Sequence, residues 1–262
     1  MNISKVVAAL ERFAPLPLQE SFDNAGLQIG LTEAEVSGAL LCLDVTEDVV
    51  DEALRRRCNL IVAHHPLIFH KLAHVTGANY VERAVAKAIK NDIAIVAMHT
   101  NMDNAHGGVN FKIAEKMGLK HVRLMGAPRV VDDVEGASGV TGEFEKPLDS
   151  RQFILMLKET FGVDQVQANE LLDRQVRRVA ICGGAGSFLL DDAIRAEADA
   201  FVTGEMHYHE FFGHEQQIQI AVIGHYQSEQ FTAELFRDII ERECPGVRCC
   251  IAETHTNPII YI

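Results

Sequence analysis

Short unbroken apolar runs alternate along the chain with stretches whose apolar residues are spaced as on one face of a helix. Four of the runs are NLIVA at 59–63, IAIVAM at 93–98, AFVT at 200–203 and IAVIG at 220–224. Unbroken runs of this length are typical of strands buried on both faces, as in parallel sheets. Helical stretches between such strands predict an α/β fold with largely parallel sheets.

Two helical stretches stand out. The N-terminal MNISKVVAALERFAPLP predicts an amphipathic helix and not a signal peptide, because charges interrupt its apolar residues. The stretch RQFILMLKETF at 151–161 has the same periodicity. The intervening segment 126–150 is rich in Gly, Ser, Asp and Pro, so we expect the crossing between two domains there, with a short hairpin inside it.

A weak internal repeat indicates that the chain contains two similar halves. Residues 52–62, EALRRRCNLIV, match residues 192–202, DAIRAEADAFV, in an acidic, Ala, aliphatic, Arg string followed by a strand-like run. We predict two similar α/β halves that arose by duplication, 1–125 and 151–262, joined by 126–150. Each half has the order strand, helix, strand, helix, strand. A chance match is the alternative, because βαβ units resemble one another.

The predicted strands end in histidines and carboxylates. In open α/β sheets functional groups gather at the carboxyl ends of the strands. Two of these ends have a histidine followed four residues later by an acidic residue, and such a pair lies on one face of a helical turn. The residues at the strand ends are His64, His65, His99, Asp103, Gly204, Glu205, His225 and Glu229.

Imidazole and carboxylate ligands without thiolates suit Zn, Mn, Fe, Co or Ni. Successive side chains of an extended chain point to opposite sides, so we expect His64 and His65 to serve one ion each, with Glu229 as a possible bridge. Two such ions lower the pKa of bound water and stabilise charge on the attacked centre. The alternative is that these histidines are hydrogen-bonded structural residues. A metal site between the halves is favoured because several such residues coincide at strand ends.

Three further groups of residues have expected roles other than metal binding. His207 and His209, in MHYHE, are candidates for substrate contact near the site. The turn CGGAGS follows a strand and opens a helix, so Gly183, Gly184, Gly186 and Ser187 can bind an anion or simply form a tight turn. Six histidines are expected to be surface or structural residues: His70, His74, His106, His121, His214 and His255.

Composition limits the function classes. The 262 residues carry 24 basic and 37 acidic residues, a formal net charge of −13, which makes nucleic acid an unlikely partner. No apolar run is long enough for a membrane span. The six cysteines form no CxxC pair, and Cys42, Cys58 and Cys182 lie in apolar surroundings. A reducing cytoplasm fits this pattern. The vicinal pair Cys249 and Cys250 is an alternative candidate for a thiol metal site.

Seven segments resemble the Nif-three-like family, widely labelled GTP cyclohydrolase I type 2 homologues. They are SFDNAGLQIG, AHHPLIFH, MHTNMDNAHGGVN, CGGAGS, TGEMHYHE, GHYQSE and THTNPIIYI, in the order of the family. The resemblance implies a dinuclear centre with His65, Asp103 and Glu229 on one ion. His64, Glu229 and His225 would hold the other, Glu229 would bridge, and His99 would lie near the site.

The resemblance also implies two similar α/β halves and a ring-shaped homohexamer, with this chain as a short form that lacks an inserted domain. Two functions are compatible with these features. The first is a metal-dependent hydrolase of a nucleotide or another phosphorylated small molecule, with His99 or His209 as proton carrier or substrate contact. The second is a metal-handling or interaction protein that stores, delivers or senses metal without catalysis.

Overall fold

The computed structural model describes residues 1–30 and 32–260, and the chain divides into two compact units. The first unit comprises Met1–Met102 and Thr232–Ile262, and the second comprises Asp103–Phe231. The chain therefore leaves the first unit once and returns to it. Each unit has its own sheet and its own apolar core.

Among its described residues the first unit contains five strands, four α-helices and one 3-10 turn, and a fifth short α-helix crosses into the second unit. The strands are β1 (Gly26–Ile29), β2 (Ala39–Cys42), β3 (Leu60–Ala63), β4 (Ala94–Ala97) and β13 (Cys249–Ile251). The helices are α1 (Ile3–Phe13), a 3-10 turn (Leu16–Leu18), α2 (Glu47–Arg55), α3 (Tyr80–Lys90), α4 (Thr100–Asn104), which runs into the second unit, and α9 (Thr232–Glu243). The numbering follows chain order through both units.

The first sheet has the order β1-β4-β3-β2-β13. Strands β13, β2, β3 and β4 are parallel, and β1 pairs antiparallel with β4 at the edge. The three central strands are buried at every position, which explains their unbroken apolar sequence. Their apolar side chains pack with those of α2 and α3 in one core.

The second unit contains eight strands and a set of short helices. The strands are β5 (Lys120–Met125), β6 (Arg129–Val131), β7 (Val134–Gly136), β8 (Gly139–Leu148), β9 (Gln167–Ala168), β10 (Val176–Cys182), β11 (Ala200–Thr203) and β12 (Gln219–Val222). The helices are α5 (Val109–Lys116), α6 (Ser150–Phe161), α7 (Leu190–Arg195) and α8 (His225–Glu229), with 3-10 turns at Ser187–Leu189 and Tyr208–Phe211.

The second sheet is mixed, in the order β5-β8-β10-β11-β12-β9. Strands β10, β11 and β12 are parallel, whereas β5, β8 and β9 each pair antiparallel with their neighbours. The prediction of largely parallel sheets is therefore right for the first unit and wrong for the second. The antiparallel strand β8 lies inside 126–150, so this segment contributes to the sheet and is more than a connection. Its hairpin, β6 with β7, is confirmed.

Local sequence signals explain where the helices begin and end. The side chain of Thr46 caps α2 by accepting a hydrogen bond from the N–H of Val49, and Asp149 caps α6 in the same way through Gln152. Helix α6 ends at Phe161, and the next residue, Gly162, adopts the left-handed conformation. Helices α1 and α6 confirm the periodicity seen in the sequence. None of the described helices combines the length and apolarity that crossing a lipid bilayer requires.

The two repeated sequence segments adopt the same local structure, each within its own unit. In the first, α2 ends in a turn whose left-handed residue is Arg57, and the N–H of Cys58 donates to the carbonyl of Ala53 before β3 begins. In the second, α7 ends in a turn whose left-handed residue is Glu197, and the N–H of Ala198 donates to Ala193 before β11 begins. The same hydrogen-bond pattern closes both helices.

Two differences from the predicted organisation have structural causes. Residues 232–262 belong to the first unit because α9 packs on α1 and β13 pairs with β2. The bounds of the compact units therefore differ from 1–125, 126–150 and 151–262. The division of the chain into two duplicated halves with those bounds stays a prediction. Between β11 and β12 the described chain forms a 3-10 turn, Tyr208–Phe211, where the predicted order has a helix.

Candidate metal centre

The first unit gathers three histidines at the carboxyl ends of two adjacent strands. His64 and His65 follow β3, and His99 follows β4. Their ring centroids lie 4.9 Å (His64 to His65), 5.3 Å (His64 to His99) and 5.4 Å (His65 to His99) apart. One nitrogen from each ring lies within 4.8 Å of the others, a spacing at which the three rings can hold a metal ion.

Each of these three rings has Nδ1 bonded to an oxygen acceptor. Nδ1 of His64 lies 2.9 Å from the carbonyl oxygen of Met98. Nδ1 of His65 lies 2.7 Å from Oδ1 of Asp44, and Nδ1 of His99 lies 2.7 Å from Oδ1 of Asp23. Because a carbonyl or carboxylate oxygen only accepts, Nδ1 donates, and the lone pair of the neutral ring is on Nε2. This is the orientation that metal-ligating histidines take in proteins.

The two aspartates that orient these rings are ionised. Burial by itself raises the pKa of Asp23, but hydrogen bonds from His99 and Thr100 outweigh burial and lower this pKa to about 2. Burial likewise opposes the hydrogen bonds that Asp44 accepts from His65 and Thr256, yet the pKa of Asp44 is lowered. Both carboxylates are therefore negative at neutral pH and favour protonated Nδ1 on their histidines.

The expectation that His64 and His65 point to opposite sides is wrong. Strand β3 ends at Ala63, so the chain is no longer extended at the two histidines. The N–H groups of His64 and His65 both donate to the carbonyl of Leu43, and the two rings lie 4.9 Å apart. A bend at the strand end thus removes the alternation on which the expectation was based.

The second unit holds a histidine and a carboxylate on a short helix that follows β12. Helix α8 begins at His225 and ends at Glu229, so the two side chains lie on one face, as predicted. Nε2 of His225 lies 3.2 Å from Oε2 of Glu229, whose side chain is 4% exposed. Nδ1 of His225 lies 2.8 Å from Oε1 of Glu205 at the end of β11. His225 is thus oriented by a carboxylate in the same manner as His65 and His99.

Asp103 lies beside Glu229 within the same unit. A carboxylate oxygen of Asp103 and one of Glu229 lie within 4.8 Å of each other. The buried side chain of Asn110 links Asp103 to the turn after β10, because its Nδ2 donates to the carbonyl of Asp103 and its Oδ1 accepts from the N–H of Gly183. Two carboxylates and one imidazole are therefore brought together by α4, α5, β10 and α8.

Glycines make room for α8. Gly184 has φ +58°, and a Cβ atom there would lie 2.4 Å from Oε1 of Glu229. A Cβ atom on Gly204 would lie 2.7 Å from the carbonyl oxygen of Gly184 and 2.9 Å from Cα of His225. Any side chain at either position would therefore displace the residues that carry His225 and Glu229.

Four polar groups of the CGGAGS turn form hydrogen bonds within the protein. The N–H of Gly184 donates to Ser228 Oγ, and the N–H of Gly186 donates to Thr203 Oγ1. Ser187 Oγ donates to Glu210 Oε1. Together with the bond from Gly183 to Asn110, these contacts favour the tight-turn interpretation over anion binding.

The remaining histidines are placed as follows. His207 precedes the 3-10 turn Tyr208–Phe211, and His209 lies within it, exposed beside the rings of Tyr208 and Phe212. Within residues 1–30 and 32–260, neither belongs to a group of side chains spaced to hold an ion. The same holds for the six histidines expected to be surface or structural residues: His70, His74, His106, His121, His214 and His255.

The cysteines do not form a second metal site of the kind left open by the sequence. None of the six cysteines, all of which lie within the described residues, is in a disulfide, and Cys42, Cys58 and Cys182 are buried in the two apolar cores, as expected. Cys249 and Cys250 are successive residues of β13 and pair with Ala39 and Leu40 of β2. Their side chains therefore point to opposite faces of the sheet and cannot chelate one ion together.

The donor set fits a divalent first-row ion. Each unit offers imidazole nitrogens, carboxylate oxygens, or both, with spacings of a few ångströms, and no thiolate takes part. Carboxylates fix the rings of three of the four histidines at strand ends. The fold and these residues define a mixed α/β protein whose strand ends carry side chains able to hold a metal ion.

The sequence profile of the Duf34/NIF3 family (NGG1p interacting factor 3) matches residues 1–258, and the chain belongs to this family. It is 33% identical over 264 residues to a Clostridium perfringens protein named GTP cyclohydrolase 1 type 2 homolog, covering 100% of both chains. A Lactococcus lactis protein of that name is 32% identical over 269 residues, again covering 100% of both. A crystal structure of a hypothetical Staphylococcus aureus protein has a TM-score of 0.89 and 28% identity, covering 100% of this chain and 99% of that one.

Sequence reasoning missed the carboxylates that orient the histidines. Asp44 follows β2 at its carboxyl end, the position that identified the other candidates, so the same rule could have found it. Glu205 was noted at the end of β11 without a role. Asp23 follows no strand, and its bond to His99 spans 76 positions of sequence, so spacing gave no signal for it.

Proposed function

We propose that this protein binds two divalent metal ions and uses them to hydrolyse a nucleotide or another phosphorylated small molecule. The proposed ligands are His64, His65, Asp103, His225 and Glu229. The observation that carries the proposal is the common orientation of the histidines. Four imidazoles at strand ends have Nδ1 bonded to an oxygen, and three of those oxygens belong to carboxylates. Structural histidines need no such shared arrangement, whereas metal ligands do.

When bound, a pair of divalent ions lowers the pKa of water and stabilises negative charge on the attacked centre. The residues of the chain supply the rest. Asp44 and Glu205 hold the rings of His65 and His225 with Nε2 as the ligand atom. His99, oriented by Asp23, takes up a proton at Nε2, and the Asp23 carboxylate stabilises the charged ring. His209 is a candidate contact for substrate.

The organisation of the protein is part of the proposal. The matching helix ends at Arg57 and Glu197, with the same hydrogen bonds, support an origin of the two α/β cores by duplication. The six cysteines, all within the described residues and none in a disulfide, support a reducing cytoplasm as the compartment. We also propose a homohexamer, from the resemblance to the family alone, which sedimentation of the purified protein tests directly.

Activity assays test the hydrolase directly. Purified protein loaded with each candidate metal is assayed on GTP and on a panel of phosphoesters, beside Glu229→Gln and Glu159→Gln. Glu159 is exposed on α6, so its variant has the same charge change away from the site. We expect turnover by the wild type and by Glu159→Gln, and its loss in Glu229→Gln. Equal slow turnover by all three proteins would exclude catalysis at this site.

A second function, metal storage, delivery or sensing, is favoured by one observation. His65 and His225 are only partly buried, so bound ions would be within reach of an acceptor. Rapid exchange of the ions with a chelator, while the protein stays folded and shows no turnover, is the result that this function predicts. Slow exchange together with turnover on the panel is the result that the hydrolase predicts.

A further inference from the structure

The second unit contains a cavity of about 480 Å³ that shares no residue with the proposed metal ligands. Its lining comes from three neighbouring strands, β5, β8 and β10, and from the chain just after α7. The lining residues are His121, Arg123, Thr141, Gly142, Glu143, Arg178 and Ala196. A cavity of this volume is in the range of pockets that hold small organic ligands.

The register of the strands places the charged residues side by side. Glu143 of β8 pairs with Lys120 of β5 and with Arg178 of β10, and Thr141 pairs with Arg123. Paired residues in an antiparallel sheet have their side chains on the same face, and so do residues two apart on one strand. Arg123, Thr141, Glu143 and Arg178 therefore line one face of the sheet.

This face is cationic in a chain whose formal net charge is −13. Glu143 is the acidic residue among the lining residues, and it faces Arg178 at 3.1 Å and Arg177 at 3.5 Å. The hydrogen bond from Arg178, with the charges of Arg178, Arg177 and His121, lowers the pKa of Glu143. A second carboxylate, Glu197, lies 3.9 Å from Arg178 with an exposed side chain.

Arg178 and Arg123 have different surroundings. Arg178 is fixed in place, because Nε and Nη2 donate to Glu143 and Nη1 donates to the carbonyl of Ala196. Arg123 forms no ion pair with any residue in 1–30 or 32–260. A guanidinium without an anionic partner, beside a fixed guanidinium and the hydroxyl of Thr141, offers donors for several oxygen atoms at once.

A backbone irregularity brings a further cation-forming side chain into the cavity. The pairing of β5 with β8 shifts between Lys120 and Arg123, and His121 in this interval has φ +53°. Such a bulge is a feature that re-aims a side chain, and a left-handed histidine costs conformational energy. The bulge contributes His121 to the lining of the cavity, where its ring can donate to an anion or stack on a planar group.

We propose that this cavity binds a phosphorylated small molecule of about the size of a nucleoside monophosphate, with Arg123, Thr141 and His121 holding the phosphate. A phosphate group presents three peripheral oxygens to this set of donors, and the remaining volume accommodates the organic part. The proposal does not depend on metal binding, because no proposed metal ligand lines the cavity.

Calorimetric titration with AMP, inorganic phosphate and adenosine tests the site. The proteins are the wild type, Arg123→Gln, Arg123→Lys and the control Arg151→Gln, each with its metal content and melting temperature measured. Arg151 is exposed at the start of α6, so its variant removes the same charge elsewhere in the second unit. We expect saturable AMP binding below 1 mM (on the order of a weak small-molecule site). Arg123→Gln should weaken it at least tenfold, Arg123→Lys should be intermediate, and Arg151→Gln should match the wild type.

The ligands and a metal-site variant separate the alternatives. Competition of inorganic phosphate with AMP supports recognition of the phosphate group, and the same affinity for adenosine as for AMP would overturn it. AMP binding that survives Glu229→Gln but not Arg123→Gln supports the cavity. Binding lost in Glu229→Gln and unchanged in Arg123→Gln would assign the phosphate to the metal ligands and overturn the proposal. The absence of saturable AMP binding by the wild type would also overturn the proposal.

Discussion

Nδ1 of His65 lies 2.7 Å from Oδ1 of Asp44. The other carboxylate oxygen of Asp44 accepts a hydrogen bond of 2.7 Å from Thr256, near the C-terminus. The aspartate is therefore held from a second side, and it in turn fixes the plane of the imidazole and the atom that carries its proton. The same relation between a carboxylate and Nδ1 recurs at His99 and at His225. This relation, more than the presence of histidines, supports the proposed metal centre.

Asp44→Asn is expected to weaken metal binding. The amide keeps the size of the side chain but removes the charge that polarises His65, and loss of such an orienting partner typically lowers metal affinity about 10–100-fold. Competition with a coloured chelator measures this change. Asp48→Asn is the control, since Asp48 is exposed in the first turn of α2. Equal affinity of both variants and the wild type would show that Asp44 does not act on a metal ligand.

Gly184→Ala is expected to disrupt Glu229, and Gly162→Ala is its matched control. Both glycines are left-handed, with φ +58° and +64°, so both substitutions incur a backbone cost of about 1–2 kcal/mol. Only at Gly184 would the new Cβ meet another residue, Oε1 of Glu229 at 2.4 Å, whereas nothing lies within 4 Å at Gly162. Thermal melts and elemental analysis should show similar destabilisation in both variants or more in Gly184→Ala, but loss of metal in Gly184→Ala alone. Full metal content in Gly184→Ala would contradict the packing argument.

Glu52 is expected to make stability depend on acid pH. Burial by itself raises the pKa of Glu52, but hydrogen bonds from Thr254, Glu253 and Arg56 outweigh it and lower this pKa from 4.5 to about 2. A carboxyl whose pKa is lower in the folded state stabilises the protein above its unfolded pKa. That contribution is lost as the pH falls from about 4.5 toward 2.

Urea unfolding of the wild type and Glu52→Gln at pH 7 and pH 3 measures this contribution. The difference in unfolding free energy between the two proteins should shrink by about 2 kcal/mol on going from pH 7 to pH 3. Glu159→Gln on α6 is the control and should show no such narrowing. A difference that stays constant with pH would show that folding does not lower the pKa of Glu52.

The sequence predicted those features that depend on local pattern. Unbroken apolar runs located β3, β4, β11 and β12, and the strand-end rule located the histidines that follow them. Helical spacing correctly placed His225 and Glu229 on one face. Tertiary pairing set the rest. Strand β8 lies in a Gly-rich segment, and its antiparallel pairing with β5 and β10, together with that of β9 with β12, makes the second sheet mixed.

Two differences between the expectations from sequence and the structure have specific physical causes. The return of residues 232–262 to the first unit depends on long-range contacts, β13 with β2 and Glu52 with Thr254, which leave no local signal. The opposite-side argument for His64 and His65 assumed extended chain, but β3 ends one residue earlier, at Ala63. The alternation of side chains between the two faces of a strand no longer holds beyond its last residue, and the candidate metal ligands lie just there.

The central claim is that these strand-end residues hold two divalent ions, and metal content tests it most directly. Protein purified without chelators, together with His65→Ala, Glu229→Ala and the control His74→Ala, is analysed for metal by mass spectrometry and for folding by circular dichroism. His74 is exposed and lies outside the described groups spaced to hold an ion. We predict two equivalents in the wild type and in His74→Ala, and the loss of at least one in His65→Ala and in Glu229→Ala. Two full equivalents in both of those folded variants would contradict the assignment.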